Sequence, residues 1–479
     1  MLAPLSHLYL GSAIISFLAA LSTALTVFFI TAPTQYDPYA EADAPPSKDG
    51  EEPRSANGKR RKVKTSVQVV VLGDIGRSPR MQYHALSIAK RGGKVDLIGY
   101  KESDVHPDIA SNPLISVIPL APVPEGLRAK SAPSFLLLAP LKVLWQTWTL
   151  YYALGYRTRP ARWMLVQNPP AVPTLAVAAF LCFFRNTSLI IDWHNFGYSI
   201  LALRLGAGHP LVKISQLYEG LLSRFAASHF AVTNAMARVL EEKHGITASP
   251  LHDRPTKDFQ PLVSEERFEF LSRLPETAQY AEDIKQGQWK LVVSSTSWTP
   301  DENFSILLDA LVGYSAKAVT KTNLPKLIAI ITGKGPQKEH YLSKIKALNQ
   351  EKKLLNVIVL TAWLSTEDYA KLLGSADLGI SLHTSSSGVD LPMKVVDMFG
   401  AGLPVLGWSK YEAWPELVTE GVNGMGFGSA EELGGLLVKL LGEDRKNLQN
   451  LRDGALEESK RGWDEEWDAV AGKKLRLVA

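Results

Sequence analysis

With 479 residues the chain has room for two or three domains. A content of 46% hydrophobic and 21% charged residues excludes wholesale disorder, and a net charge of +4 is too small to indicate a nucleic-acid protein. A single cysteine, Cys182, excludes an intramolecular disulfide and suits a reducing compartment; inside the apolar run from Ala178 to Phe184 it reads as packing, not as a nucleophile.

In chain order, residues 8–32 carry no charge and are long enough to cross the ~30 Å hydrocarbon layer as a helix. No Lys or Arg precedes them, and the run exceeds the ~7–15 apolar residues of a cleavable signal, so residues 1–32 are expected to be a retained single-pass anchor. Lys59, Arg60, Arg61, Lys62 and Lys64 follow it, which by the positive-inside rule places the remainder in the cytosol. Residues 33–64, rich in Pro, Asp, Glu and Ser, read as a disordered stalk. Its basic end reads as a cluster facing lipid headgroups in preference to a nucleic-acid patch.

From Val67 short β-branched runs alternate with longer amphipathic ones. Strands are expected at Val67–Leu72, Val95–Gly99, Met164–Val166, Leu189–Ile191 and Phe230–Thr233. A second series follows at Leu291–Ser294, Leu327–Thr332, Val357–Leu360, Leu378–Leu382 and Pro404–Leu406. Continuous apolar strands alternating with helices imply parallel sheets. The expected architecture is α/β, with two doubly wound Rossmann-like domains facing a cleft, at residues 65–261 and 262–460, and a C-terminal helix at 461–479 that crosses back. The apolar stretches Phe135–Gly155 and Pro173–Phe184 fit either buried helices or a patch at the membrane interface, where Trp and Tyr are favoured.

The densest chemistry lies in Leu382-His-Thr-Ser-Ser-Ser-Gly-Val-Asp-Leu-Pro-Met-Lys-Val-Val-Asp-Met-Phe-Gly. A strand ends at His383, and a helix is expected to begin with Pro392 in its first turn. Between them Ser385, Ser386, Ser387 and Gly388 offer hydroxyls and N–H groups to a phosphate. Asp390, Lys394 and Asp397 are spaced to share a helix face: Lys394 would neutralise a diphosphate and Asp397 would accept two ribose hydroxyls. Gly333-Lys334-Gly335 ends another strand, with Lys334 in reach of phosphate. Trp363, after the next strand, fits base stacking and core packing about equally well. In the first half, Gly73-Asp-Ile-Gly-Arg-Ser-Pro-Arg lacks the third glycine of a dinucleotide fingerprint, so NAD is rejected; Gly73, Gly76, Arg77 and Arg80 instead suit an acceptor diphosphate. Asp192 and His194 close a strand at its carboxyl end, with His194 as candidate general base, Asp192 orienting it and Asp74 as a weaker candidate base. The chain holds no Asp-x-Asp pair and no zinc-ligand spacing, so no metal ligand is assigned and no bound cofactor or metal is expected for the chemistry.

The Gly73–Arg80 loop, Asp192-Trp-His-Asn-Phe-Gly-Tyr-Ser, Ser294-Ser-Thr-Ser-Trp-Thr-Pro-Asp-Glu-Asn-Phe and the stretch from Ser385 to Gly400 together resemble the chitobiosyldiphosphodolichol β-mannosyltransferases, over most of residues 65–470. The resemblance implies the two-Rossmann GT-B fold, GDP-mannose as donor and dolichyl-diphosphate-linked chitobiose as acceptor. It also implies a β-1,4 link formed with inversion at the cytosolic face of the endoplasmic reticulum membrane, beside membrane lipid and other early-pathway glycosyltransferases. Retaining GT-B enzymes carry Glu-x7-Glu where this chain has Val389 and Asp397, with Asp390 one place late, and basic residues where Ser295–Phe304 has none; this shifts weight onto Lys334 and Lys394. Competing expectations are an α-mannosyl- or N-acetylglucosaminyltransferase of the same fold, or a non-catalytic membrane scaffold; nucleic acid is not expected as a partner.

Overall fold

The computed structural model describes residues 15–23, 26, 31–37, 39, 63–127, 132–299, 302–321 and 323–479, the side chains of 132–137 excepted. Of the expected anchor, 15–23 are helical and most of the rest lies outside the described residues. Among the described residues no helix is long and apolar enough to cross a membrane.

Strands β1 (Ser66–Asp74), β2 (Lys94–Tyr100), β3 (Ile115–Pro119), β4 (Trp163–Asn168), β5 (Ser188–Trp193), β6 (Ser228–Ala231) and β7 (Ser249–Pro250) form a sheet of order β3-β2-β1-β4-β5-β6-β7. Strands β8 (Trp289–Ser295), β9 (Lys326–Thr332), β10 (Val357–Ala362), β11 (Leu378–Ser381), β12 (Val405–Trp408) and β13 (Gly424–Phe427) form another, of order β10-β9-β8-β11-β12-β13. Each order reverses direction once, between β1 and β4 and between β8 and β11. Such switch points are where doubly wound sheets leave room for a ligand outside the strands' carboxyl ends. Pairing is parallel along β8–β9 and β8–β11.

Both faces of the second sheet are covered. Leu291, Val293, Ile328 and Ile330 pack into one core, while Val292, Leu327, Ala329 and Ile331 pack into the other. Two-sided burial is why these strands read as unbroken apolar runs, not as alternation. Each such Val, Leu or Ile side chain contributes roughly 1.5–3 kcal/mol through burial. The sequence reading missed β3, β7 and β13. They are short, and they carry Pro119, Pro250 and two glycines, Gly424 and Gly426, which depress strand propensity.

Contacts divide the chain into a unit of residues 1–190 and 222–227 and a unit of residues 191–221 and 228–479, so the expected boundary at 261 lies inside the second unit. In the first unit, residues 31–37 are not part of a loose stalk. The Tyr36 amide donates to the Arg185 carbonyl at 2.7 Å, Arg185 Nε donates to the Thr34 carbonyl at 3.1 Å, and Tyr156 Oη donates to the Thr31 carbonyl at 2.9 Å. Composition alone could not reveal this: Arg185 is 1% exposed, and its buried guanidinium needs acceptors, one of which, the Thr34 carbonyl, comes from this segment. The rest of the expected stalk up to residue 62, residue 39 apart, lies outside the described residues.

The helices Ala132–Tyr152 and Thr174–Arg185 are partly buried and partly open: Trp148 is 61% and Phe183 80% exposed, whereas Leu150 and Leu181 are fully buried. Cys182 is buried beside Met164, and burial pushes its thiol up to about 12, consistent with a packing role. At the carboxyl end, the expected long helix is a short one, Trp463–Trp467, followed by a wider turn at Asp468–Gly472. Glu466 there bonds His252 at 3.2 Å and Arg254 at 3.3 Å, all within the second unit.

Candidate active site at the second unit's switch point

Three strand-end loops of the second sheet meet here. The turn after β8 is strained. Trp298 holds φ at +50°, a conformation that costs a bulky residue ~1–3 kcal/mol. It is kept there by burial, by ring contact with Phe304 at 4.8 Å and by its indole N–H on the Gly333 carbonyl at 3.3 Å. The loop after β9 runs hard against this turn. At Gly333 φ is +127°, and a Cβ would stand 1.8 Å from the Thr296 carbonyl oxygen; at Gly335 one would stand 1.7 Å from that of Ser297. Both glycines of the Gly-Lys-Gly turn are therefore needed for close backbone approach. Lys334 projects its ammonium 4.0 Å above the ring of Trp363, which is 63% exposed. That exposure decides the earlier ambiguity: Trp363 is a surface-loop aromatic, not core.

The loop after β11 is internally wired. Asp390 accepts from His383 Nε2 at 3.1 Å, from Ser387 Oγ at 3.0 Å and from Ser385 Oγ. Burial would raise its pKa, but the hydrogen bonds and charge of His383 and the two serine hydroxyls hold it below the usual carboxylate range. The expected shared face of Asp390, Lys394 and Asp397 does not form. The helix runs Met393–Gly400 with Pro392 as its N-cap, so Asp390 precedes it and is turned back to brace the serine loop. The opposite, apolar side of the helix packs inward, with Val395, Met398 and Phe399 all buried.

Lys394 and Asp397 follow from that helix. Lys394 forms an ion pair with Glu302, whose carboxylate also accepts from Thr296 Oγ1 at 2.7 Å and the Ser297 amide at 2.5 Å. Glu302 is 4% exposed and is bridged to His383 across the two loops. The sequence reading missed it: Ser295–Phe304 was read for its lack of a basic residue, when one of its two acidic residues, Glu302, was the signal. Asp397 is pushed up to about 7 by burial and then by the Asp253 carboxylate, with Lys394 pulling the other way.

Asp192 and His194 lie in the same unit. Asp192 is fully buried, and its Oδ2 lies 2.8 Å from His194 Nε2. With Nε2–H donated to that carboxylate, Nδ1 becomes the basic nitrogen of the ring. One residue on, Asn195 Nδ2 donates to Ser386 Oγ at 3.1 Å, and Ser199 Oγ lies 3.3 Å from the same oxygen. Asn195, also missed from sequence, therefore ties the Asp192–His194 pair to the serine loop.

In the first unit the Gly73–Arg80 loop is arranged differently from expectation. Asp74 Oδ1 accepts from the amides of Gly76, Glu102 and Ser103 and so caps the turn. Gly73 is roomy, but a Cβ at Gly76 would meet the Asp104 carbonyl oxygen at 2.5 Å, so that glycine serves packing. Arg80 is 3% exposed and lies inside the unit, whereas Arg77 is open to solvent, 3.5 Å from Asp74. Among the described residues no group of three or more His, Cys, Asp or Glu is placed to hold a metal ion.

No protein-family model matches the chain. It is 57% identical over 382 residues to a chitobiosyldiphosphodolichol beta-mannosyltransferase of Arthroderma benhamiae, covering 79% of this chain and 85% of the relative. It is 40% identical to the mouse protein of that name, covering 83% and 86%. It is 41% identical to the Arabidopsis thaliana UDP-glycosyltransferase TURAN, covering 86% and 97%. Among solved structures, Anabaena HepE in complex with UDP aligns over 86% of this chain and 99% of its own at a TM-score of 0.59 and 17% identity. A Thermosynechococcus elongatus sucrose-phosphate synthase aligns over 86% and 97% at 0.59 and 15%. At such identities these two establish the fold: paired Rossmann-like sheets of the GT-B glycosyltransferase type.

Proposed function

The chain belongs to the family of chitobiosyldiphosphodolichol β-mannosyltransferases and is a glycosyltransferase, and we propose that it transfers mannose from GDP-mannose to dolichyl-diphosphate-linked chitobiose, forming a β-1,4 link with inversion. The observation that carries the reading is the Asp192–His194 pair joined through Asn195 to a serine loop that is followed by Lys394 and Asp397. The donor's diphosphate lies at Lys334, Lys394 and the N–H groups of Ser385–Gly388, the guanine stacks on Trp363, and Asp397 accepts the ribose hydroxyls. His194 Nδ1 takes the proton from the acceptor hydroxyl. The hydroxyl oxygen bonds to the anomeric carbon as the bond from that carbon to the phosphate oxygen breaks, and GDP departs with the electron pair. A lysine-rich, preorganised phosphate site supplies the charge stabilisation that this departure needs. The protein works without a bound cofactor or metal, anchored in the endoplasmic reticulum membrane with its catalytic units in the cytosol.

The test is transfer of radiolabelled mannose from GDP-mannose to a phytanyl-diphosphate chitobiose, with and without EDTA, followed by β-mannosidase. Labelled trisaccharide lipid that the mannosidase digests, formed despite EDTA, is the expected result. Transfer only from a UDP-sugar, the donor class in the name of the Arabidopsis relative, would refute the GDP-mannose assignment. No transfer from any donor would favour a scaffold.

A further inference from the structure

The Asp192–His194 pair is followed at once by two helices, Gly197–Leu205 and Pro210–Leu222, with outward faces that the proposed chemistry does not use. Their outer side chains are strongly apolar: Ile200 is 39% exposed, Leu203 61%, Leu211 45%, Ile214 60%, Leu217 71% and Leu221 54%. On the second helix the spacing 211, 214, 217, 221 makes one stripe. Ordinary folding buries such a stripe; here it is open over three turns. The exposed charge on the hairpin itself has one sign. Between residues 197 and 221 the charged side chains are Arg204, Lys213 and Glu219, and only the acid is buried, at 0% exposure, where its Oε1 accepts from the Gly197 amide at 2.8 Å. That bond fastens the end of the second helix to the start of the first, and Ser199 and Asn195 fasten the same start to Ser386. An exposed apolar stripe with only cationic exposed charge, on a rigid root, is the pattern of a helix lying in a membrane interface.

We propose that the hairpin of residues 197–221 docks on an anionic lipid surface. Its stripe enters the headgroup boundary and Arg204 and Lys213 meet lipid phosphates, so that a lipid-borne acceptor is delivered beside His194. This rests on the reading of the acceptor as a polyisoprenyl diphosphate, and it names a surface separate from the N-terminal anchor. Three variants, Ile214→Cys, Leu217→Cys and the control Val319→Cys (56% exposed on the helix Phe304–Thr320), carry an environment-sensitive fluorophore in the full chain; buried Cys182 stays unlabelled. In vesicles of phosphatidylcholine with phosphatidylserine, the labels at 214 and 217 shift to the blue and are quenched by spin-labelled lipid. The effect weakens in phosphatidylcholine alone, and the label at 319 stays in water. Ile214→Glu with Leu217→Glu raises KM for a long-chain acceptor in vesicles about tenfold and leaves transfer to a short-chain, detergent-free acceptor unchanged. Labels at 214 and 217 that match the control, or that shift with protein concentration in the absence of lipid, overturn the proposal, the latter by assigning the face to a second copy. Because the label reads insertion without turnover, failed mannosyl transfer with inserted labels would fault the proposed reaction and leave the surface standing.

Discussion

Asp397→Asn separates stability from function at the centre of the site. In the folded protein this carboxyl sits at about 7, well above its ordinary 3.8, because burial and the Asp253 carboxylate outweigh Lys394. The folded state therefore retains a proton that the unfolded chain releases, and its stability declines as pH climbs from about 4 through about 7. At ~1.4 kcal/mol per pH unit, the difference amounts to about 4 kcal/mol at most once the group is ionised in both states. Asparagine cannot ionise and escapes this loss. Without nucleotide, variant and parent should melt nearly together near pH 4, where the folded carboxyl keeps its proton and little of the loss has set in. At pH 8 the variant should melt higher, by on the order of 10 °C at most. Donor binding should change the other way. An amide offers one acceptor where the carboxylate offers two, and losing a charge-assisted hydrogen bond of about 2 kcal/mol raises KM for the donor roughly thirtyfold. Differential scanning calorimetry across pH and steady-state kinetics read the two arms. A variant that melts below the parent at pH 8, or that keeps the donor KM, would refute the reasoning and leave Asp397 a structural carboxylate.

Glu302→Gln leaves Lys394 without its ion pair in a mostly buried setting and should cost ~3 kcal/mol in urea denaturation; a change within ~0.5 kcal/mol would show that the pair is incidental. Gly333→Ala must place a methyl against the Thr296 carbonyl oxygen at an unfavourable φ, and should destabilise by ~3 kcal/mol or more, read by the same denaturation. Trp363→Ala, at an exposed site, should leave the melting point within about 1 °C while raising KM for the donor roughly fivefold; an unchanged KM removes it from the site. His194→Asn should lower kcat by ~10²–10⁴ with donor KM retained, checked with the radiolabelled transfer assay; a loss of donor binding instead would make the residue a positioning one.

The two βα series, their parallel sense and the loops at strands' carboxyl ends were all legible from the residues, because two-sided burial writes continuous apolar runs and glycine marks close approach. Gly333 and Gly335 mark a close approach, but to the chain's own Thr296–Ser297 turn, where a ligand was expected. What pattern alone misjudged was partnership. Asp390 reads as a helix-face acid but braces Ser385 and Ser387. Arg80 reads as a phosphate ligand but is buried. Trp363 was evenly balanced until its exposure was known.

Chain-local periodicity and turn chemistry were enough to fix which residue types lie at the ends of the long apolar strands, though not of β3, β7 and β13. Only the tertiary structure decided which of them meet. Glu302 and Lys394 are separated by 92 positions, and Asn195 and Ser386 by 191. Their pairing is set by the order of strands in a sheet, which no local pattern encodes, and by buried charges taking whatever partner that order brings within reach.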